Sequence, residues 1–275
     1  MLRKARVSGG RDRGGLLRLS RPWSFRLLES ASHVAGIRWV KRLLPWFAED
    51  GLNISCLPIN EDIRLGDDVV MPVQLLYEFI DAASHRVVVD FCACREAMSC
   101  GRYPKEVGCL MMGSAALEIH ESVRREVTPA EAREHVDLAM EHGLIPFVGK
   151  ARIDNIVFGI RNKKQLLSTC FCCECCCISR FARNVPASHR ADNVHRLEGL
   201  SIEVGEGCDG CGVCAKRCFL ESIVIRDGKA HILEGCAGCG RCAKACARGA
   251  ITVSLDNPAF IDEARSRIEA LVDFR

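Results

Sequence analysis

Nineteen of the 275 residues are cysteine, and eight of them fall in two runs of identical spacing. The first reads Cys208-Asp-Gly-Cys211-Gly-Val-Cys214-Ala-Lys-Arg-Cys218. The second reads Cys236-Ala-Gly-Cys239-Gly-Arg-Cys242-Ala-Lys-Ala-Cys246 and begins 28 residues later. Both are C-x2-C-x2-C-x3-C. A cubane [4Fe–4S] cluster needs four thiolates at the corners of a tetrahedron. Three cysteines two residues apart on one tight loop reach three corners, and the fourth comes from elsewhere. Such a centre accepts and releases single electrons. Two zinc ions would also use eight thiols, but a zinc ribbon brings C-x2-C pairs rather than triplets.

The repeat extends past the thiols. Glu206-Gly207 aligns with Glu234-Gly235, Gly210 with Gly238, Gly212 with Gly240, Ala215-Lys216 with Ala243-Lys244, and Ile223 with Ile251. Glycine at these points lets the loop wrap closely, and its free N–H groups can donate to sulfur. Residues 199–256 thus resemble the bacterial-type two-cluster ferredoxin domain. The resemblance implies a ferredoxin-like 2[4Fe–4S] fold of two short helices and two hairpin or strand pairs. It also implies that the last cysteine of each run serves the other cluster. One cluster then takes Cys208, Cys211, Cys214 and Cys246, the other Cys236, Cys239, Cys242 and Cys218. Phe219 and Ala247 stand where the family pattern has proline, which removes no ligand but loosens the turn.

Ten further cysteines form two upstream groups. Cys92, Cys94, Cys100 and Cys109 lie among Gly101, Pro104 and Gly108 after an apolar run, and read as a complete metal site for iron–sulfur or zinc. Cys170, Cys172, Cys173, Cys175, Cys176 and Cys177 are denser. Six thiols packed this way cannot all face one cubane, so they serve two sites or one larger cluster. The C-x-C-R…C…C and C-x-C-C-x-C-C-C elements resemble those of multi-cluster iron–sulfur proteins of anaerobes, over residues 55–255. Arg95 beside the first group would offset thiolate charge and raise a cluster's potential. Cys56 reads as a buried small hydrophobe.

The thiol content fits metal thiolates in a reducing cytoplasm, because no apolar run of 18 residues or secretory h-region is evident. A net charge of +3 argues against a dedicated nucleic-acid binder. Residues 1–30 are strongly basic and read as a disordered tail, or as a tether to a membrane surface or acidic partner.

Several elements must position these thiols. Residues 34–48 read as a helix. Pro72 opens another with Leu75, Leu76, Phe79, Ile80 and Ala83 as its apolar stripe. Arg86–Phe91 reads as a buried strand. A helix is expected from Ser114 through Glu126, and a capping box at Thr128-Pro129-Ala130-Glu131 starts another that stops at Gly143. Ile153–Ile160 reads as a strand. Ile223–Ile232 is a hairpin turning on Asp227-Gly228, and Ser201–Val204 pairs with Ile251–Ser254. Asn257-Pro258 opens a C-terminal helix.

The expected fold class is α+β. A basic tail (1–30) precedes a cysteine-rich mixed helix/strand domain (31–182), a linker (183–199), the two-cluster domain (200–256) and a C-terminal helix (257–275). The expected function is electron transfer between redox partner proteins, with two [4Fe–4S] clusters and further iron–sulfur clusters or zinc upstream. No acid–base residue is assigned to catalysis, because the cluster itself carries the chemistry. The alternatives are a subunit of an iron–sulfur oxidoreductase whose non-standard cluster binds substrate, and a cluster maturation factor.

Overall fold

The computed structural model describes residues 26–27, 29–30, 32, 52–59, 63–65, 68–187, 190 and 193–275. The basic segment 1–25 and the helix expected over 34–48 lie outside the described residues. Along the chain run β1 (Leu52–Cys56), β2 (Ile63–Leu65), β3 (Asp68–Val70), α1 (Gln74–Ala82), β4 (Arg86–Val89), α2 (Ala93–Ala97) and β5 (Leu110–Met112). Then follow β6 (Arg124–Glu126), α3 (Pro129–Glu141), β7 (Ile145–Ala151), α4 (Arg152–Phe158), β8 (Leu167–Cys172) and β9 (Val194–His195). The C-terminal part holds β10 (Leu200–Val204), α5 (Val213–Arg217), β11 (Ile223–Arg226), β12 (Lys229–Ile232), α6 (Arg241–Lys244), β13 (Ile251–Leu255) and α7 (Phe260–Glu269).

The molecule is a mixed α/β protein with several sheets. Its largest has the order β6-β4-β5-β8-β7-β1-β9, antiparallel except for the parallel β1–β9 pair. A second has the order β10-β13-β2-β3, and β11–β12 form a separate hairpin. β13 pairs with β2 in parallel, so residues from both sides of the 183–199 stretch share one sheet. Within that stretch, Val194 pairs with Ile54 and Leu197 is buried in the larger core with Leu200.

Amphipathic spacing places the helices. α1 buries Leu75, Leu76, Phe79 and Ile80, and Phe79 meets Phe274 edge-on at 5.3 Å. α3 starts at the expected capping box: Thr128 Oγ1 accepts from Glu131 N, and Glu131 Oε2 accepts from Thr128 N. It buries Ala132, Val136, Ala139 and Met140. α7 lays Phe260, Ala264 and Ile268 into the same core.

Two expected elements are corrected. Ile153–Ile160, with its β-branched residues, is not a strand. It falls in helix α4, which buries Asp154 and Asn155 and ends on Gly159 at φ +69°. The strand is the preceding segment, β7, which pairs on both sides. Ser114–Glu126 is not one helix either. It divides into 3-10 turns at Ser114–Glu118 and Glu121–Val123 and then strand β6. The Arg124 guanidinium donates to the carbonyls of Ile119 and Leu117, while Glu118 accepts from the backbone N–H groups of Arg161 and Asn162. Pairing with β4 satisfies the backbone that a helix would have satisfied locally.

Candidate metal centre

Sheet register brings the upstream thiols together in combinations that sequence order hides. β5 pairs antiparallel with β8, Leu110 opposite Thr169. The next pair outward is Cys109 and Cys170, with sulfurs 3.8 Å apart. Cys170 and Cys172 are two residues apart on β8 and share a face. Cys92 caps α2 and Cys94 lies within it, so both follow directly from β4. Cys177 Sγ lies 2.8 Å from Cys172 Sγ, and Cys94 also touches Cys177.

The quartet expected from Cys92, Cys94, Cys100 and Cys109 is not the grouping found. Cys100 instead joins Cys173, Cys175 and Cys176, and the four sulfurs all lie within 4.8 Å of one another. Cys100 Sγ is 3.7 Å from Cys175 Sγ, and Cys176 Sγ is 3.6 Å from Cys175 Sγ. For a metal–sulfur bond of about 2.3 Å, the edge of a four-thiolate tetrahedron is about 3.8 Å. These distances fit four thiolates on one ion. A cubane spreads its thiolates farther, since each binds a different iron.

Three of the four quartet thiols resist ionisation, whereas the burial of Cys100 is outweighed by hydrogen bonds, led by the backbone of Arg102 and Tyr103, that hold it below its ordinary value. Burial, then the negative charge of its neighbours, pushes Cys173 up to about 11. Burial likewise leads the shifts of Cys175 and Cys176, both to about 12. A metal ion binding here would therefore displace protons. Cys177 is held well below its ordinary value by contacts from Cys172 and Cys94, against its burial.

Arg95 supplies a fixed positive charge. It is 1% exposed, and its guanidinium donates to the carbonyls of Pro104 (2.8 Å), Phe171 (2.7 Å) and Val107. No carboxylate pairs with it among the described residues. Burial works to lower its pKa, and the sulfurs of Cys92, Cys173, Cys109 and Cys177, when ionised, outweigh that and raise it. A buried, unpaired guanidinium costs several kcal/mol, and ionised sulfur is the counter-charge within reach. Sequence order placed Arg95 near one group, but the fold places it between both.

The C-terminal runs repeat the same turn geometry at their glycines. Gly210 and Gly238 sit at φ +67° and +73°, and Gly212 and Gly240 at +75° and +69°. The second pair are the left-handed caps of α5 and α6, which carry Cys214 and Cys242 at equivalent positions and pack on each other. Both of these thiols share a small core with Ile202, Ile223, Ala230 and Ile251, while Cys208, Cys218, Cys236 and Cys246 fringe it. Burial and the charges of Cys239, Cys236 and Cys218 push Cys242 up to about 12. Cys218 of the first run thus stands among the thiols of the second. At the other end, Arg248 feels both Cys211 and Cys246. Backbone N–H groups of Ser222 and Ala230 donate to Cys218 Sγ and Cys208 Sγ at 3.3 and 3.4 Å.

Glu174 joins the two regions. It lies between Cys173 and Cys175, 7% exposed, and pairs with Arg241 (2.5 Å), Arg217 (2.8 Å) and Arg102 (3.2 Å). Tyr103 also donates to it at 2.6 Å. Arg217 closes α5 and Arg241 opens α6, so this carboxylate ties the upstream thiol loop to both C-terminal helices. Cys56, fully buried, lies near Cys236 and Cys239. No helix among the described residues is long and apolar enough to cross a membrane. No protein-family model matches the chain, and no curated protein or solved structure matches it either.

Proposed function

We propose that the chain is an iron–sulfur electron-transfer protein, with its electron port in residues 200–256. The observation that carries this reading is the duplicated cysteine loop, whose two copies share left-handed glycines, cap geometry and a common apolar core. Cys218 among the second run's thiols, and Cys246 beside Arg248 with Cys211, support the crossed ligand sets. Cys208, Cys211, Cys214 and Cys246 would hold one [4Fe–4S] cluster, and Cys236, Cys239, Cys242 and Cys218 the other. Bound there, the clusters supply one-electron chemistry.

The protein's own residues do the rest. Ile202, Ile223 and Ile251 exclude water from one side. The N–H groups of Ser222 and Ala230 favour added negative charge on the sulfurs they reach. Cys100, Cys173, Cys175 and Cys176 would hold a single tetrahedral ion, zinc or iron, because their spacing matches one metal. That ion would fasten the loop after α2 to the loop after β8.

Anaerobic preparations are expected to hold more than about eight irons per chain, with matching sulfide. Replacing Cys211 by serine is expected to remove or alter one of two cubane signals in electron paramagnetic resonance. Zinc in place of iron on the C-terminal cysteines, or two unchanged cubane signals in the Cys211 variant, would overturn the assignment.

A further inference from the structure

Seven thiols remain after the two C-terminal sets and the Cys100 quartet are set aside: Cys56, which lies apart near Cys236 and Cys239, and Cys92, Cys94, Cys109, Cys170, Cys172 and Cys177. The last six are not scattered. All six line one cavity of about 180 Å³ whose other walls are largely apolar, Phe147, Phe158 and Phe219 among them. Asp154 of α4 lines it as well. Asp154 is 8% exposed, and its Oδ2 has no hydrogen-bond partner. Burial raises the pKa of Asp154, and Ser168 beside it works the other way without reaching good hydrogen-bond geometry. An apolar cavity does not ordinarily collect a buried carboxylate and six thiols, because poorly paired polar atoms cost free energy there.

We infer that this cavity is the site of a polynuclear iron–sulfur cluster larger than a cubane, held by the six thiolates and the Asp154 carboxylate. The inference rests on the iron–sulfur reading above. A single tetrahedral ion uses four ligands, and a cubane offers four iron corners. Seven donors around one cavity exceed both. They also divide spatially. Cys92, Cys94, Cys172 and Cys177 meet at one side, with 2.8 Å between the last two sulfurs, while Cys109 and Cys170 meet at the other beside Asp154. A compact cluster of more than four irons spans both sides.

The charge balance agrees. Arg95 acts on Cys92, Cys109 and Cys177 of this set and has no carboxylate partner among the described residues. Six thiolates and a carboxylate on several ferric or ferrous ions leave a net anionic centre for that guanidinium to face. Phe219, next in sequence to Cys218, forms part of the cavity wall, so the cavity abuts the ligand shell of the second C-terminal set.

The test uses the full chain, loaded anaerobically with iron and sulfide. Iron, zinc and sulfide analysis is combined with Mössbauer and paramagnetic resonance spectra of the wild type, a Cys109→Ala/Cys170→Ala double variant and Asp154→Asn. The wild type is expected to hold more than about four irons beyond those of two cubanes. The double variant is expected to lose that excess while keeping both C-terminal cubane signals. Asp154→Asn, nearly isosteric, is expected to keep most of the iron but shift one Mössbauer component. Excess iron unchanged in the double variant would overturn the site. So would a wild type with about eight irons and one zinc, which would leave the electron-carrier reading standing. A Cys172–Cys177 disulfide, found by mass spectrometry after anaerobic alkylation, would overturn it too. Absence of the C-terminal cubane signals would overturn the underlying reading and this one with it.

Discussion

At the scale of single residues, Arg95 is the most informative side chain outside the cysteines. Its three hydrogen bonds all go to backbone carbonyls, which fixes the 104–107 loop against β8. Its charge is answered by sulfur rather than by carboxylate. Arg95→Met would leave three buried carbonyls without a donor, each worth about 1–3 kcal/mol, and would leave thiolate charge uncompensated. The variant is expected to unfold at lower denaturant by about 3 kcal/mol or more. Any upstream centre that survives should have a more negative reduction potential in a spectroscopically monitored redox titration. Arg95→Lys keeps the charge but cannot serve three diverging carbonyls, so it should restore the potential more than the stability. An unchanged potential in both variants would remove Arg95 from the electrostatics of the site. The sequence placed Arg95 beside a metal group because it follows Cys94. It could not show Asp154, since a strand over Ile153–Ile160 would have left that carboxylate one of several alternating side chains. Only as part of α4 does it come to a cavity with sulfur around it.

At the scale of elements, the local signals that survived are those with a short-range mechanism. The capping box, the Asp227-Gly228 hairpin and the β10–β13 pairing each rest on residues a few positions apart or on a strong period-two pattern. Ile153–Ile160 went astray because β-branched residues favour strands only where a neighbouring strand is available, and here β7 already occupies that place between β1 and β8. The regrouping of Cys100 is long-range in the same sense. Sequence proximity favours Cys92, Cys94 and Cys109, whereas the pairing of β5 with β8 swings the 100–108 loop towards residues 173–176.

The glycines allow a sharp contrast between elements. A Cβ on Gly210 would lie 2.5 Å from the carbonyl oxygen of Gly228, which is backbone and cannot step aside. Gly210→Ala is therefore expected to push the first cysteine loop off the hairpin and to diminish one cubane signal. Gly143→Ala, also at positive φ (+71°) but with nothing within 4 Å, should cost only about 1–2 kcal/mol and leave metal content unchanged. Thr128→Ala, which removes the cap of α3, should likewise cost about 1 kcal/mol without touching the spectra. Equal metal loss in all three variants, measured by iron analysis beside thermal unfolding, would mean that metal content simply follows global stability.

At the scale of the whole molecule, the upstream thiol region and the duplicated C-terminal module share a sheet through the β13–β2 pairing. Two further contacts join them at the cysteines. Phe219, next to Cys218, reaches Phe147 of β7, their rings edge-on at 5.8 Å, on the wall of the six-thiol cavity. Glu174 sits inside the upstream thiol loop and binds the last residue of α5 and the first of α6. Burial raises its pKa, but the Tyr103 hydroxyl and the charges of Arg241 and Arg217 more than offset this, so the carboxylate stays ionised. Glu174→Gln keeps the size and removes the charge. Arg241, 4% exposed, would then keep the Gly143 carbonyl but lose its anion. Leaving such a charge unpaired costs about 3–5 kcal/mol. The expected result is lower stability together with faster amide hydrogen exchange at residues 215–220 and 240–245. After pulsed reduction of the C-terminal clusters, electrons should reach upstream iron more slowly, because the two regions are no longer held at fixed separation. Arg102→Ala serves as the comparison. It removes the most exposed of the three arginine partners and should change exchange little. If Glu174→Gln exchanged like the wild type and transferred electrons at the same rate, the salt-bridge cluster would be incidental, and the β13–β2 pairing with the apolar packing around Phe219 would hold the two regions in register.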